Sequence, residues 1–136
     1  MAALLLVNER TGHLMASAVE IAVTAAARAK GWAGRERIEV TSALVLSPCW
    51  AVHTAFVRMP IDVAFVDRNG CVVRCVREMK PWSAAVSLRA HAAIEFAAGS
   101  LRSHDLRIGD RLCVTPVFDP ASSRAAETST PKRLSA

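Results

Sequence analysis

Apolar residues fall in short runs along this chain, each closed by turn residues, and that pattern predicts strands. Leu4, Leu5, Leu6 and Val7 open a strand over residues 4–8, which the turn Glu9-Arg10-Thr11-Gly12 closes. Residues 14–23 alternate loosely and predict a second strand. Thr24 then stands as an N-cap for AAARAKGWAGR, because its hydroxyl can accept from an early helical N–H and Ala propagates a helix best. Gly31 and Gly34 end that helix, with Arg28 and Lys30 in its last turn complementing the dipole. The apolar run over residues 42–46, bounded by Ser47-Pro48, reads as a buried strand.

The strongest local signal follows. Ile61, Val63 and Phe65 share one face of a strand, Asp67-Arg68-Asn69-Gly70 turns the chain, and residues 71–77 return. Asn-Gly favours a two-residue hairpin loop in which both central residues take positive φ. Alternation places Cys71, Val73 and Cys75 on one face of the return strand and Val72, Arg74 and Val76 on the other. Pro81 ends it, because proline cannot donate to a ladder. Residues 90–97 predict a further strand and residues 100–106 a short helical turn capped by Ser100. Ile108-Gly109-Asp110 feeds a last strand over residues 111–118. From Asp119 the chain has almost no large apolar side chain and is expected to be disordered. The sum is one domain over residues 1–118, mainly β, a compact β-barrel or jelly-roll-like sandwich with one packed helix and a disordered tail over residues 119–136.

Composition narrows the function classes. The 136 residues carry 17 basic and 12 acidic side chains, a net +5, and most of the basic ones are Arg. Arg28, Arg58, Arg74, Arg89 and Arg102 are scattered singly, with no alternation of basic and aromatic residues, so a nucleic-acid platform is not expected. The opening MAALLLVNERTG lacks a basic leader and a small-residue cleavage site, and no run approaches the roughly 18 apolar residues that span a bilayer. A cytoplasmic location away from membranes is the expectation. Cys71 and Cys75, four residues apart on a strand, stand roughly 13 Å apart and cannot bridge, so reduced thiols are expected.

Several of these residues resemble a family, the bacterial and archaeal domain-of-unknown-function 192 family. After the opening strand and turn, Arg28-Ala29-Lys30-Gly31-Trp32-Ala33-Gly34-Arg35 follows the family's helix-ending box. Cys49, Val52, His53 and Thr54, then Pro60-Ile61-Asp62-Val63, Phe65, Asp67 and Gly70, follow its central block in order. Ile94-Glu95-Phe96-Ala97-Ala98-Gly99 and Gly109-Asp110 complete it. The chain departs from the family pattern at Gly31-Trp32-Ala33 and at Ala55-Phe56-Val57. The resemblance implies a compact β domain with one packed helix and no established activity. It also implies that many relatives are exported or lipid-anchored, and some are associated with secretion or pilus machinery.

Candidate chemistry centres on residues 48–81. Cys49 and His53 are the sharpest pair for a nucleophile and its base, with Asp62 as an orienting carboxylate, but an extended segment separates them by roughly 13 Å. The competing reading of Cys49 is a small buried hydrophobe. Ligands for zinc are present in number, yet no Cys-x-x-Cys or His-x-x-x-His spacing occurs, and no metal or other cofactor is expected. Asp62 reads either as a backbone cap or as a polar group at a barrel mouth beside His53 and Arg58. Glu95 interrupts AAIEFAA and reads as a solvated edge position, with a buried Glu paired with an Arg as the rarer alternative. Trp32, Trp50 and Trp82 read as hydrophobic lids whose indole N–H reaches a carbonyl. The leading reading is a non-enzymatic binding or accessory module. Its shallow cleft is formed by Cys49, Trp50, His53, Thr54, Arg58 and Asp62 together with Lys80 and Trp82, and it takes an anionic small molecule or an extended peptide. The alternatives are an enzyme using Cys49 or His53, and a structural partner of a secretion or pilus machine.

Overall fold

The computed structural model describes residues 3–117, and the expected tail lies outside the described residues. Among the described residues the strands form three open sheets and not a closed barrel. The largest sheet has the order β3(Ala18–Ala22), β4(Ser42–Leu46), β9(Ala92–Ala97), β6(Ile61–Val66) and β7(Val72–Met79). A second sheet holds β10(Leu112–Pro116), β1(Leu4–Asn8) and β2(Leu14–Ala16), and a two-stranded ribbon pairs β5(Ala51–His53) with β8(Ala84–Val86). Two short helices complete the fold, α1(Ala25–Lys30) and α2(Ser100–Ser103). No helix among the described residues is long and apolar enough to cross a membrane.

The β-rich fold expected from the sequence is present, arranged in three layers. One face of the large sheet, through Ala43, Ala64, Ile94 and Phe96, packs on Leu6, Met15, Leu112 and Val114 of the three-stranded sheet and on Leu101 of α2. The other face, through Leu44, Ile61, Val63, Phe65 and Ala93, is covered by Trp32, Val57 and the inward side of the ribbon, Val52 and Ala85. Strands β6 and β9 are therefore buried at every residue. β3 and β4 run parallel, so the chain must cross over between them, and α1 lies on that crossover.

Local chemistry explains the boundaries. The expected strand over residues 14–23 is two strands, because it changes sheets at Ser17: β2 pairs with β1 and β3 with β4. Thr24 caps α1 as its sequence predicts, accepting from the Ala27 N–H at 3.1 Å, and Gly31 closes it at φ +49°. No residue of α1 is buried, and a six-residue helix is too short to hold itself in water. Its anchor is the next side chain, Trp32, whose burial is worth about 4 kcal/mol.

The expected hairpin is present, but its loop is not a two-residue turn. Asp67 and Cys71 close three residues, only Gly70 takes positive φ (+81°), and the Asp67 carboxylate accepts from the Asn69 and Cys71 N–H groups. That is a turn followed by a left-handed glycine. A bulge at Val73 then shifts the register, since Val66 pairs with Val72 but Phe65 with Arg74. Val72 and Cys75 consequently face one core while Val73 and Val76 face the other, which overturns the simple alternation.

Two further differences concern carboxylates. Ser100 does not cap α2: the N-cap is Gly99, and the Asp62 carboxylate reaches across to accept from the Leu101 N–H at 2.9 Å. Asp110 does more than shape its own turn. It accepts from Asn8 Nδ2 at 2.9 Å, Arg10 Nε at 2.6 Å and the Arg107 N–H at 2.9 Å, tying the first strand to the last. The Arg10 guanidinium is the main reason its carboxyl is held down at about 2.

Gly70 is required both by conformation and by space. A Cβ there would lie 2.7 Å from the Leu112 carbonyl oxygen. Gly12, at φ +71°, has nothing within 4 Å of that position. Gly70→Ala is therefore expected to lower the unfolding free energy by about 3 kcal/mol and Gly12→Ala by about 1 kcal/mol, compared through urea midpoints.

Candidate functional site

Of the residues singled out in the sequence, the ribbon β5–β8 carries His53 and is flanked by Trp50, Thr54 and Trp82. Its register sets Ala51 opposite Val86, Val52 opposite Ala85 and His53 opposite Ala84. Val52 and Ala85 point into the core, so His53 shares the outward face with Ala51, Ala84 and Val86. Trp50 enters at one end, where its carbonyl accepts from the Ser87 N–H. Trp82 stands at the other, where its N–H donates to the Thr54 carbonyl.

Thr54 makes that second end rigid. It is fully buried; its hydroxyl donates to the Lys80 carbonyl at 2.6 Å and accepts from the Ser83 N–H at 2.8 Å, and its own N–H donates to the Ser83 carbonyl. Phe56 and Trp82 flank this knot, both at positive φ (+64° and +58°), a conformation that costs about 1–2 kcal/mol for residues with a Cβ. Their rings meet edge to face at 4.7 Å. They nonetheless remain 68% and 69% exposed, and Trp50 is 56% exposed. Sequence reasoning missed Phe56, which was visible only as a departure from the family pattern.

The remaining expected residues divide. Lys80 precedes the Pro81-Trp82 turn and is exposed; Arg58 is exposed, with Glu36 3.7 Å from its guanidinium. Asp62 does not reach this surface. It is fully buried, and its two carboxylate oxygens accept from the Glu78 N–H at 2.7 Å and from the Leu101 N–H. Cys49 is half-buried and its thiol donates to the Ala51 carbonyl at 3.0 Å. Burial pushes that thiol up, the Ala51 contact opposes it, and Glu95 adds a further push upward. The Trp32 indole is buried but reaches no carbonyl among the described residues. None of the four cysteines forms a disulfide among the described residues.

Glu95 is where the sequence reading and the structure differ most. It lies on β9, between Leu44 of β4 and Val63 of β6, in the middle of the sheet and 1% exposed. Alternation placed it correctly on the face shared with Ala93, but that face is covered, not solvated. Gly31 passes directly over the carboxyl: a Cβ there would sit 3.1 Å from Glu95 Oε1. Oε2 has no hydrogen-bond partner among the described residues. Burial pushes the carboxyl up to about 7, with the Trp32 backbone N–H and the Arg35 charge opposing the rise.

A rise from 4.5 to about 7 corresponds to about 3 kcal/mol. Below pH 4.5 both folded and unfolded chains hold the proton. Above it the unfolded chain releases its proton first, so stability falls until the folded carboxyl ionises near 7 and then levels. Glu95→Gln is expected to remove this slope, raising stability by up to about 3 kcal/mol at pH 8 with little change at pH 4.5. Urea unfolding of both proteins at the two pH values measures it.

Comparisons with known proteins agree with this architecture. A protein of unknown function from Novosphingobium aromaticivorans superposes with a TM-score of 0.70 at 19% identity, over 80% of this chain and 81% of that one. A Sinorhizobium meliloti protein provisionally described as a transcription regulator gives 0.71 at 20% identity, over 82% and 93%. At these identities the likeness concerns the fold. No curated protein matches the chain. The sequence does match, over residues 6–114, the family described as uncharacterized ACR, and the chain belongs to that domain-of-unknown-function 192 family.

Proposed function

We propose that this uncharacterised β domain is a non-enzymatic binding module, and that the outward face of the β5–β8 ribbon receives an extended peptide. The observation that carries the reading is the exposure of Trp50, Phe56 and Trp82 at the two ends of a short, rigidly tied ribbon. The exposed side chains are large aromatics, two of them held outward by strained backbone, and Trp and Phe of this kind serve as anchors at interfaces. The ends lie roughly 13 Å apart along the strand, which matches about four extended residues. A small molecule is served less well, because it needs a concave site that buries most of its surface.

Charge selects among peptides. Lys80 and Arg58 adjoin the Phe56–Trp82 end and His53 lies on the ribbon face, on a chain of net +5. An apolar segment flanked by Asp or Glu fits that surround. The enzymatic alternative is favoured less: a nucleophilic Cys49 needs a lowered thiol pKa, and burial raises it.

Display of a random linear peptide library on the intact chain tests this reading. Enriched sequences are expected to carry an aromatic or aliphatic anchor with acidic flanks, and to lose tenfold or more in affinity on Trp82→Ala or Trp50→Ala. Enrichment that survives both substitutions unchanged would show that the ribbon is not the binding surface.

A further inference from the structure

We propose that the domain holds a second ligand site, distinct from the ribbon: the cleft between α1, β3 and β4 takes a small monocarboxylate, whose carboxylate shares a proton with Glu95 and accepts from the Trp32 indole.

The cleft has a volume of about 210 Å³, enough for a few-carbon molecule. Ala22 and Leu44 give it apolar walls, Lys30 and Gly31 come from the end of α1, and Glu20 and Arg35 also line it. Gly31 links the cleft to the buried acid. It lines the cleft, and the position of its missing Cβ lies 3.1 and 3.3 Å from the two Glu95 carboxyl oxygens. Leu44, another wall, is the cross-strand neighbour of Glu95. Gly31, a residue without a side chain, thus stands between the cleft and the acid.

Two buried polar groups are left over on residues that meet beneath the cleft: Trp32 follows Gly31, and its backbone N–H donates to the Glu95 carboxyl. Glu95 Oε2 and Trp32 Nε1 belong to residues only 1% exposed, and neither finds a partner among the described residues. Buried polar groups without partners are costly and uncommon in folded proteins. One is an N–H donor and the other a carboxyl that keeps its proton to near neutral pH, hence also a donor. Two unpartnered donors on neighbouring residues call for a ligand with two acceptor oxygens.

The surrounding charges choose the sign. Arg35 pairs with Glu20 at 2.7 Å and lies over the Trp32 ring, 5.9 Å from its centroid, so those two charges cancel. Lys30, with no ion-pair partner among the described residues, supplies the remaining cation, and Arg28 stands on the same helix. The half-buried Cys49 thiol is another titratable group near Glu95, and the β4 and β6 neighbours of Glu95, Leu44 and Val63, are apolar. A protonated Glu95 beside the one net positive charge of the cleft lining suits a monoanion. An ammonium ligand would meet Lys30 directly, and a dianion would leave one charge uncompensated against apolar walls.

Sodium butyrate, anionic throughout the range used, is the probe, titrated into the ¹⁵N-labelled full chain at pH 6 and pH 8 with ligand-free references at each. Saturable shifts are expected at the Trp32 indole and the Gly31 amide, with affinity about tenfold higher at pH 6, since Glu95 holds its proton there. Butylamine should shift neither signal. Lys30→Ala, a change at an exposed side chain, is expected to weaken butyrate severalfold at both pH values. Glu95→Gln should bind with the same affinity at both. Silence at Trp32 and Gly31 at pH 6, equal binding of butyrate and butylamine, equal affinity at pH 6 and pH 8 in the native chain, or indifference to Lys30→Ala would each overturn the proposal.

Discussion

Everything in this fold follows from the burial of β6 and β9 on both faces. A strand covered on one side can turn its polar residues to water; these two cannot, because one face packs on a second sheet and the other beneath Trp32 and the ribbon. Each carboxylate on them must find donors or keep its proton. Asp62 and Glu95 show the two outcomes on opposite faces of one sheet. Asp62 accepts from two backbone N–H groups, and so replaces the missing side-chain cap of α2. Glu95 is left with an unpartnered oxygen, and burial raises its pKa to about 7. The difference is one of neighbours: Asp62 faces the start of a helix, whose first N–H groups lack intrahelical partners, and Glu95 faces a glycine turn that offers it the Trp32 backbone N–H.

The covering of the second face is assembled from weak pieces. α1 has no buried residue, the ribbon has two three-residue strands, and neither would persist alone. Each is pinned by a single well-placed group, α1 by Trp32 and the ribbon by Thr54. The two pieces are also tied to one another where the Gly34 N–H donates to the Phe56 carbonyl at 2.9 Å. Both departures from the family pattern, at residues 31–33 and 55–57, fall on this joint.

How much of this was legible in the sequence depended on whether the signal was local. Thr24 as a cap, Gly31 as a stop, Asp67 to Gly70 as a turn and the alternation of Ile61, Val63 and Phe65 are all decided within a few residues, and they hold. The bulge at Val73 escaped because nothing in Cys71 to Arg77 marks an extra residue; only the pairing with Phe65 and Val66 reveals it. Glu95 escaped for a deeper reason. Alternation tells which face a side chain takes, and not whether distant segments cover that face. The cover over Glu95 comes from residue 31 and the surrounding turn, more than sixty positions away. The surface round Trp50, His53, Thr54 and Trp82 was legible as a neighbourhood because Thr-centred backbone pairing brings residues 54 and 83 together, while Asp62, eight residues further on, crosses to the other side of the sheet.

The attachment of the ribbon has a consequence for how such a domain can diversify. Its outward residues, Ala51, His53, Ala84 and Val86, do not enter the core, and its two inward ones are small to middle-sized. The threonine knot holds the shape through main-chain carbonyls and N–H groups, which every amino acid except proline supplies in full. The outer face can therefore be rewritten residue by residue while the frame beneath is inherited unchanged, much as a lock keeps its body when the pins are recut.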